Sequence, residues 1–334
     1  MEELTLNQTI RKIRIEQKRT QTQFYKGIFS KSVYQKIESG EKKLTIKELI
    51  IIADRLGIDL FELITLCHDE TKTTIKETRK DIQNTLLMPE SQTKREKIFI
   101  IHRLLLDNKK TNLEWFNLYL FFAIAFKDSV DFIFTPNEDD LLYLNKIYED
   151  KTLFTLVDYR IYLNCLNLFG LNRSKFLENK LFPIQQKELR NNEFITTAFG
   201  AFINMITLSI YSKNYNKGFI YLKQALKFEN REIDYFSKIQ FMFLEQLLYC
   251  QKYKQQNNHK KEIEAYFKAY NYAELVESLG DTRQSTIMYS DLEKIKEDKE
   301  LDSPEGCNFI FDKPLQQVDH VKLFLNSLPP KKIR

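Results

Sequence analysis

What most limits the fold of this chain is how seldom it can break a helix. It carries only 8 Gly and 7 Pro in 334 residues, well below ordinary usage of either. Leu, Ile, Lys, Glu and Phe are plentiful instead. Few breakers among good helix formers predict an all-α protein. The length suits two domains, and a hydrophobic share of 43% supplies a packed core.

The formal net charge is +5, which permits a nucleic-acid partner without demanding one. Cys67, Cys165, Cys250 and Cys307 are far apart and form no CxxC pair, so buried thiols in a reducing compartment are expected. Glu2 and Glu3 follow Met1 where a signal peptide would be basic. The apolar run "WFNLYLFFAIAF" at 115–126 is too short to span a bilayer and contains Asn117. It reads as a buried core helix, and a cytoplasmic location without membrane contact is expected.

Residues 1–66 divide into short helices by their caps. Leu6, Ile10 and Ile13 recur at helical spacing, with Gln17 extending the face. Thr20 stands three before Gln23, a capping-box pattern opening a second helix in which Phe24 and Ile28 turn inward. Ser30 is a natural N-cap for the stretch "KSVYQKIE". Val33 and Ile37 would be buried there, leaving Ser32, Gln35 and Lys36 on the opposite face and Lys31 one turn before Gln35. Small hydrogen-bonding groups with two cations suit base edges and phosphates in a major groove. Gly40 ends this helix, Thr45 and Gly57 bound a fourth, and Asp59 precedes a fifth. Arg14 and Glu38 fall where two helix ends should meet, and a structural ion pair is expected between them. The order of helices is that of a helix-turn-helix.

The segment "SKSVYQKIESGEKKLTIKELIIIADRLGIDLFELI" resembles the DNA-binding domain of the XRE class of regulators. More narrowly, it resembles the Rgg/PlcR/PrgX group of peptide-pheromone-responsive regulators, with the PrgX branch, which controls plasmid conjugation, nearest in pattern. The resemblance implies that Gln21 and Lys31 hold backbone phosphates. It also implies that Ser32, Gln35 and Lys36 reach bases, with Thr20 and Ser30 at the helix starts beside them. Tyr25 departs from the family pattern, where a small residue is usual.

Residues 67–92 read as a polar linker with a helix near 73–87, interrupted by Pro89. From 93 to 300 amphipathic helices recur, which predicts a TPR-like helical repeat. The clearest unit is "FITTAFGAFINMITLSIYSKNYNKGFIYLKQALK", with Ala198, Gly200, Ala201 and Ala225 allowing close helix contact; a second has Ala265, Ala269 and Ala273 on one face. Such arrays form peptide-binding grooves. Asn164, Asn167 and Asn204 are candidates because an amide both donates to and accepts from a peptide backbone. A capping or solvent role competes at each of them. The segments "LVDYRIYLNCLNLF" and "INMITLSIYSKNYNKGFIYLKQALKF" extend the same family resemblance. It implies a short hydrophobic peptide pheromone as ligand and a homodimer, with tetramers left open. The tail 301–334 holds four of the seven prolines. Phe309, Ile310 and Phe311 there are expected to cover the peptide or to pair with its edge, a surface arm or dimer contact being the alternative.

No Gly-rich phosphate loop occurs, and His68, His102, His259 and His320 are scattered. No metal, cofactor or enzymatic activity is expected. The expected protein is a transcriptional regulator that binds a double-stranded DNA operator under peptide control. The alternatives are a regulator whose repeats serve only oligomerisation and a helical scaffold that has lost DNA binding.

Overall fold

A computed structural model describes residues 5–66, 74–126, 136–185, 190–228 and 233–297. These are all-α: no strand occurs among the described residues. The chain divides into two compact units, 1–77 and 78–334.

The first unit holds α1 (Leu6–Glu16), α2 (Gln21–Tyr25), α3 (Lys31–Glu38), α4 (Ile46–Leu56) and α5 (Leu60–Leu66). Thr5, Thr20 and Thr45 each close a reciprocal capping box with Gln8, Gln23 and Glu48. Ser30 Oγ accepts from the Val33 N–H at 3.2 Å. Caps of this kind contribute about 1 kcal/mol each, which matters for helices too short to stand alone. Gly27, Gly40 and Gly57 occupy left-handed backbone at the turns. The core is Ile10, Phe24, Tyr34, Ile37, Ile52, Ala53, Leu56 and Leu63. It differs from expectation on α3, where Tyr34 with Ile37 faces inward and Val33 is only half-buried. Gln17 is the C-cap of α1 and donates to the Leu56 carbonyl at 2.8 Å.

Helix α6 (Thr74–Leu87) contains the point at which the two units divide. The second unit continues with α7 (Gln92–Asn108), α8 (Leu113–Phe126), α9 (Glu138–Glu149), α10 (Leu156–Arg173), α11 (Lys175–Leu181) and α12 (Asn192–Tyr211). It ends with α13 (Tyr215–Ala225), α14 (Tyr235–Gln255), α15 (His259–Ser278) and α16 (Thr282–Glu297). Helices α8, α10, α12 and α14 pack in series as one row, while α11, α13 and α15 pack against them from a second layer. This alternation is the TPR-like array read from the sequence.

Asn137, Asn191, Asn214, Asp234 and Asn258 start five of the helices by accepting backbone N–H bonds. Gly170 breaks α10 with φ 72°, and Gly280 separates α15 from α16 with φ 88°. Ala198, Gly200, Ala201, Ala225, Ala265, Ala269 and Ala273 are all buried, as close helix packing requires. Gly218 is tightest: an added Cβ would lie 2.8 Å from Leu248 Cδ2 of α14. Of the helices, α12 is long and apolar enough to cross a membrane, but 89% of that window is buried within the fold. The run 115–126 lies in α8 and is buried along most of its length, as expected of a core helix.

Candidate nucleic-acid interface and the buried asparagine row

Helix α3 has two unlike faces. Tyr34 and Ile37 are fully buried, and Glu38 follows them inward. Lys31, Ser32, Gln35 and Lys36 are all exposed. The exposed side chains therefore sit on a helix whose other face is fixed by packing, the geometry base reading needs.

Side chains of α1 hold α3 in place. Arg14 of α1 forks onto Glu38, Nε to Oε1 at 2.5 Å and Nη2 to Oε2 at 2.9 Å, as the sequence suggested. Arg14 Nη1 also donates to the Arg19 carbonyl at 2.6 Å. Asn7 Nδ2 donates to the Ile37 carbonyl. Burial alone would raise the Glu38 carboxyl, but hydrogen bonds from Arg14 and Gln21 bring it below its ordinary value. The Arg14 guanidinium is raised in turn, chiefly by its hydrogen bond to Glu38.

The turn between α2 and α3 is fixed by aromatic packing. Phe24, Tyr25 and Phe29 surround Tyr34, with ring centroids at 5.6, 6.2 and 6.3 Å. The bulk of Tyr25 is thus accommodated at the α2–α3 contact. Arg55 of α4 closes the end of α2 by donating to the carbonyls of Gln23, Phe24 and Lys26. Neither Tyr34 nor Arg55 was read from the sequence. Tyr34 stands three before Ile37, a helical spacing that could have found it.

The expected phosphate ligands are placed differently from one another. Lys31 is exposed at the first position of α3. Gln21 Nε2 donates to Glu38 Oε2 at 2.7 Å, so its amide is committed to the Arg14–Glu38 cluster. Thr20 and Ser30 use their hydroxyls as helix caps.

In the second unit α8 and α10 bring two asparagines together. Asn164 Nδ2 donates to Asn117 Oδ1 at 3.0 Å across α10 and α8. Asn117 is fully buried and its Nδ2 has no hydrogen-bond partner; the Oδ1 of Asn167 is likewise unpartnered. Asn204 on α12 is 4% exposed, as is Asn164. Asn117, Asn164 and Asn204 are thus buried, whereas Asn167 is half-buried. Asn117 was read only as a polar interruption of an apolar run, and its pairing with Asn164 depends on a contact 47 positions apart. Phe309, Ile310 and Phe311 lie outside the described residues. Among the described residues, no three His, Cys, Asp or Glu side chains are grouped to hold a metal ion.

Residues 10–63 match the Helix-turn-helix family. The N-terminal unit is a helix-turn-helix domain. No curated protein matches the chain by sequence. Solved structures match it over nearly its whole length. The complex of PrgX with cCF10 aligns at a TM-score of 0.76 and 20% identity, over 90% of this chain and 95% of PrgX. PrgX in another structure aligns at 0.71 and 21% identity, over 96% of this chain and 99% of PrgX. The SHP pheromone receptor Rgg2 of Streptococcus dysgalactiae aligns at 0.65 and 16% identity, over 88% of this chain and 99% of Rgg2. The helix-turn-helix domain and the helical array together therefore have the fold of PrgX and Rgg2.

Proposed function

We propose that this protein is a cytoplasmic, sequence-specific DNA-binding transcriptional regulator. In this reading its operator affinity is set by a short hydrophobic peptide held in the helical array. The observation that carries the DNA reading is the division of α3. Lys31, Ser32, Gln35 and Lys36 are exposed, while Tyr34, Ile37 and Glu38 lock the opposite face. Ser32, Gln35 and Lys36 read base edges, and Lys31 meets a phosphate. A homodimer would place two such helices in successive major grooves, about 34–36 Å apart.

The peptide reading is supported by the asparagines of α8, α10 and α12 and by the likeness of the whole chain to PrgX in complex with cCF10 and to the pheromone receptor Rgg2. The unpartnered Oδ1 of the half-buried Asn167 would accept a hydrogen bond from a peptide backbone N–H, with Asn164 and Asn204 as the other contacts. The peptide acts by population shift: it favours one arrangement of the protein, and that arrangement changes DNA affinity.

Selection of bound duplexes from a random DNA pool tests this directly, using full-length protein at near-physiological salt. The expected product is an inverted repeat with half-sites one helical turn or a multiple apart, with plasmid-transfer promoters as the first natural candidates. Absence of enrichment with and without peptide would refute the regulator reading.

A further inference from the structure

Where α14 ends and α15 begins, the second unit carries a cluster that neither DNA nor peptide binding uses. Phe219 of α13 and Tyr249 and Tyr253 of α14 form a strip of rings, with centroid separations of 5.5 Å and 5.9 Å. Two ammonium groups lie on it. Lys252 Nζ is 5.4 Å from the Phe219 ring centroid and 5.8 Å from that of Tyr249. Lys261 Nζ is 5.6 Å from the Tyr253 centroid. Both lysines are exposed, and among the described residues neither has a carboxylate at ion-pair distance. Glu262, beside Lys261, faces His259 Nδ1 at 3.2 Å instead. Ring contacts hold an ammonium group in place without neutralising it. The strip is therefore a preorganised surface, cationic and partly apolar, that fits an extended acidic segment.

This chain has such a segment close by. Helices α15 and α16 are antiparallel neighbours, tied by Tyr289 to Glu277 at 2.9 Å and by Tyr270 against Tyr289 at 5.4 Å. The end of α16 thus lies at the same edge as the start of α15. The sequence that follows Glu297 is "DKELDSPEG", with Asp298, Glu300, Asp302 and Glu305 against one lysine, and Leu301 among them. Eight extended residues reach about 25 Å, and direct linkage gives a high effective concentration without a second molecule. We propose that residues 298–305 dock on the lysine–aromatic strip, carboxylates on Lys252 and Lys261 and Leu301 against the rings. Docking fixes the start of the C-terminal arm to one edge of the helical array. The proposal does not depend on DNA or peptide binding.

Hydrogen exchange read by mass spectrometry on the full-length chain tests it, at low and at high salt. At low salt, amides of 298–305 should exchange about threefold more slowly than in the Lys252→Glu, Lys261→Glu variant, the scale a few exposed ion pairs can supply. High salt should abolish the difference. Adding Asp298→Lys and Glu300→Lys to that variant should restore protection by reversing both signs. Exchange in α14 and α15 serves as the folding control, since both lysines are exposed. Equal exchange of 298–305 in native chain and variant would overturn the proposal. So would protection that rises with protein concentration, which would assign the strip to a second copy.

Discussion

Arg14 and Glu38 stand 24 positions apart and meet fork to fork, at 2.5 Å and 2.9 Å. The contact joins the end of α1 to the end of α3, and Gln21 brings α2 to the same carboxylate. Both partners are largely shielded from water. Removing one leaves the other charge buried without its counterpart, which costs about 3 kcal/mol or more. Glu38→Gln and Arg14→Met should each lower the stability of the helix-turn-helix domain on that scale in urea denaturation. A drop below about 1 kcal/mol would mean that the apolar set around Tyr34 holds α3 by itself.

The same pair sets an acid limit. The Glu38 carboxyl lies below its ordinary value in the folded state. A depressed acid contributes its stability fully above the ordinary carboxylate range and loses it as pH falls through the folded-state value. The helix-turn-helix domain should therefore weaken as pH drops below about 4.3. Glu38→Gln should flatten that part of the profile while lowering the plateau at neutral pH. Circular dichroism across an acid titration reads both effects, and an unchanged acid slope in the variant would place the sensitivity elsewhere.

On α3 the exposed residues divide by role. Ser32→Ala with Gln35→Ala should narrow the difference between operator and random duplex by about 1–3 kcal/mol for each well-formed base pairing that is removed. Lys31→Ala should weaken binding to all duplexes alike and reduce the salt slope by about one. Titrations of both variants at several salt concentrations separate these outcomes. Intact preference in the double variant would show that the base-reading face lies elsewhere.

The legible parts of this chain were those written locally. Thr20 with Gln23, Ser30, Thr45, Gly57 and Gly280 punctuate helices within a few residues, so the helix order could be read directly. The small residues 265, 269 and 273 gave a buried face by spacing alone. Contacts between distant helices were only partly legible. Opposite charge at two helix ends suggested Arg14–Glu38. Gln21 instead was expected on a backbone phosphate, because nothing near it in sequence shows that Glu38 is within reach. Asn117 sat in an apolar run and gave no sign of Asn164 as its partner. Val33 and Tyr34 compete for the inward face of α3 on spacing, and the aromatic neighbours Phe24, Tyr25 and Phe29 decide for Tyr34.

Asn164 is a place where structure and ligand binding compete. Asn164→Ala removes the donor to Asn117 Oδ1 and leaves a second unpartnered atom on that buried amide. A cost of about 1–3 kcal/mol in stability is expected. Asn204→Ala removes an amide outside the Asn117–Asn164 pair and should affect stability less. Both should weaken binding of a cognate peptide, measured by calorimetry at a temperature where each variant is fully folded. Native-like peptide affinity in Asn204→Ala would remove α12 from the binding surface.

Asp291 of α16 ties back to Tyr211 at the end of α12, with the tyrosine hydroxyl 3.2 Å from Oδ1. Burial pushes the carboxyl up to about 6, while the Tyr211 hydrogen bond and the positive charge of Lys294 oppose the rise. A raised acid stabilises the folded state most when protonated. That stability falls as pH climbs from the ordinary carboxylate value, about 3.9, toward 6, and is gone above it. At neutral pH the ion is thus a burden on the contact between α16 and α12. Asp291→Asn keeps an acceptor for Tyr211 without the charge. It should stabilise the second unit at pH 7.5 by about 3 kcal/mol and remove the decline between pH 4 and 6. Thermal unfolding followed across that range checks both points. Destabilisation of the variant at pH 7.5 would mean that the charged form makes the stronger bond and that α16 is held by the ion itself.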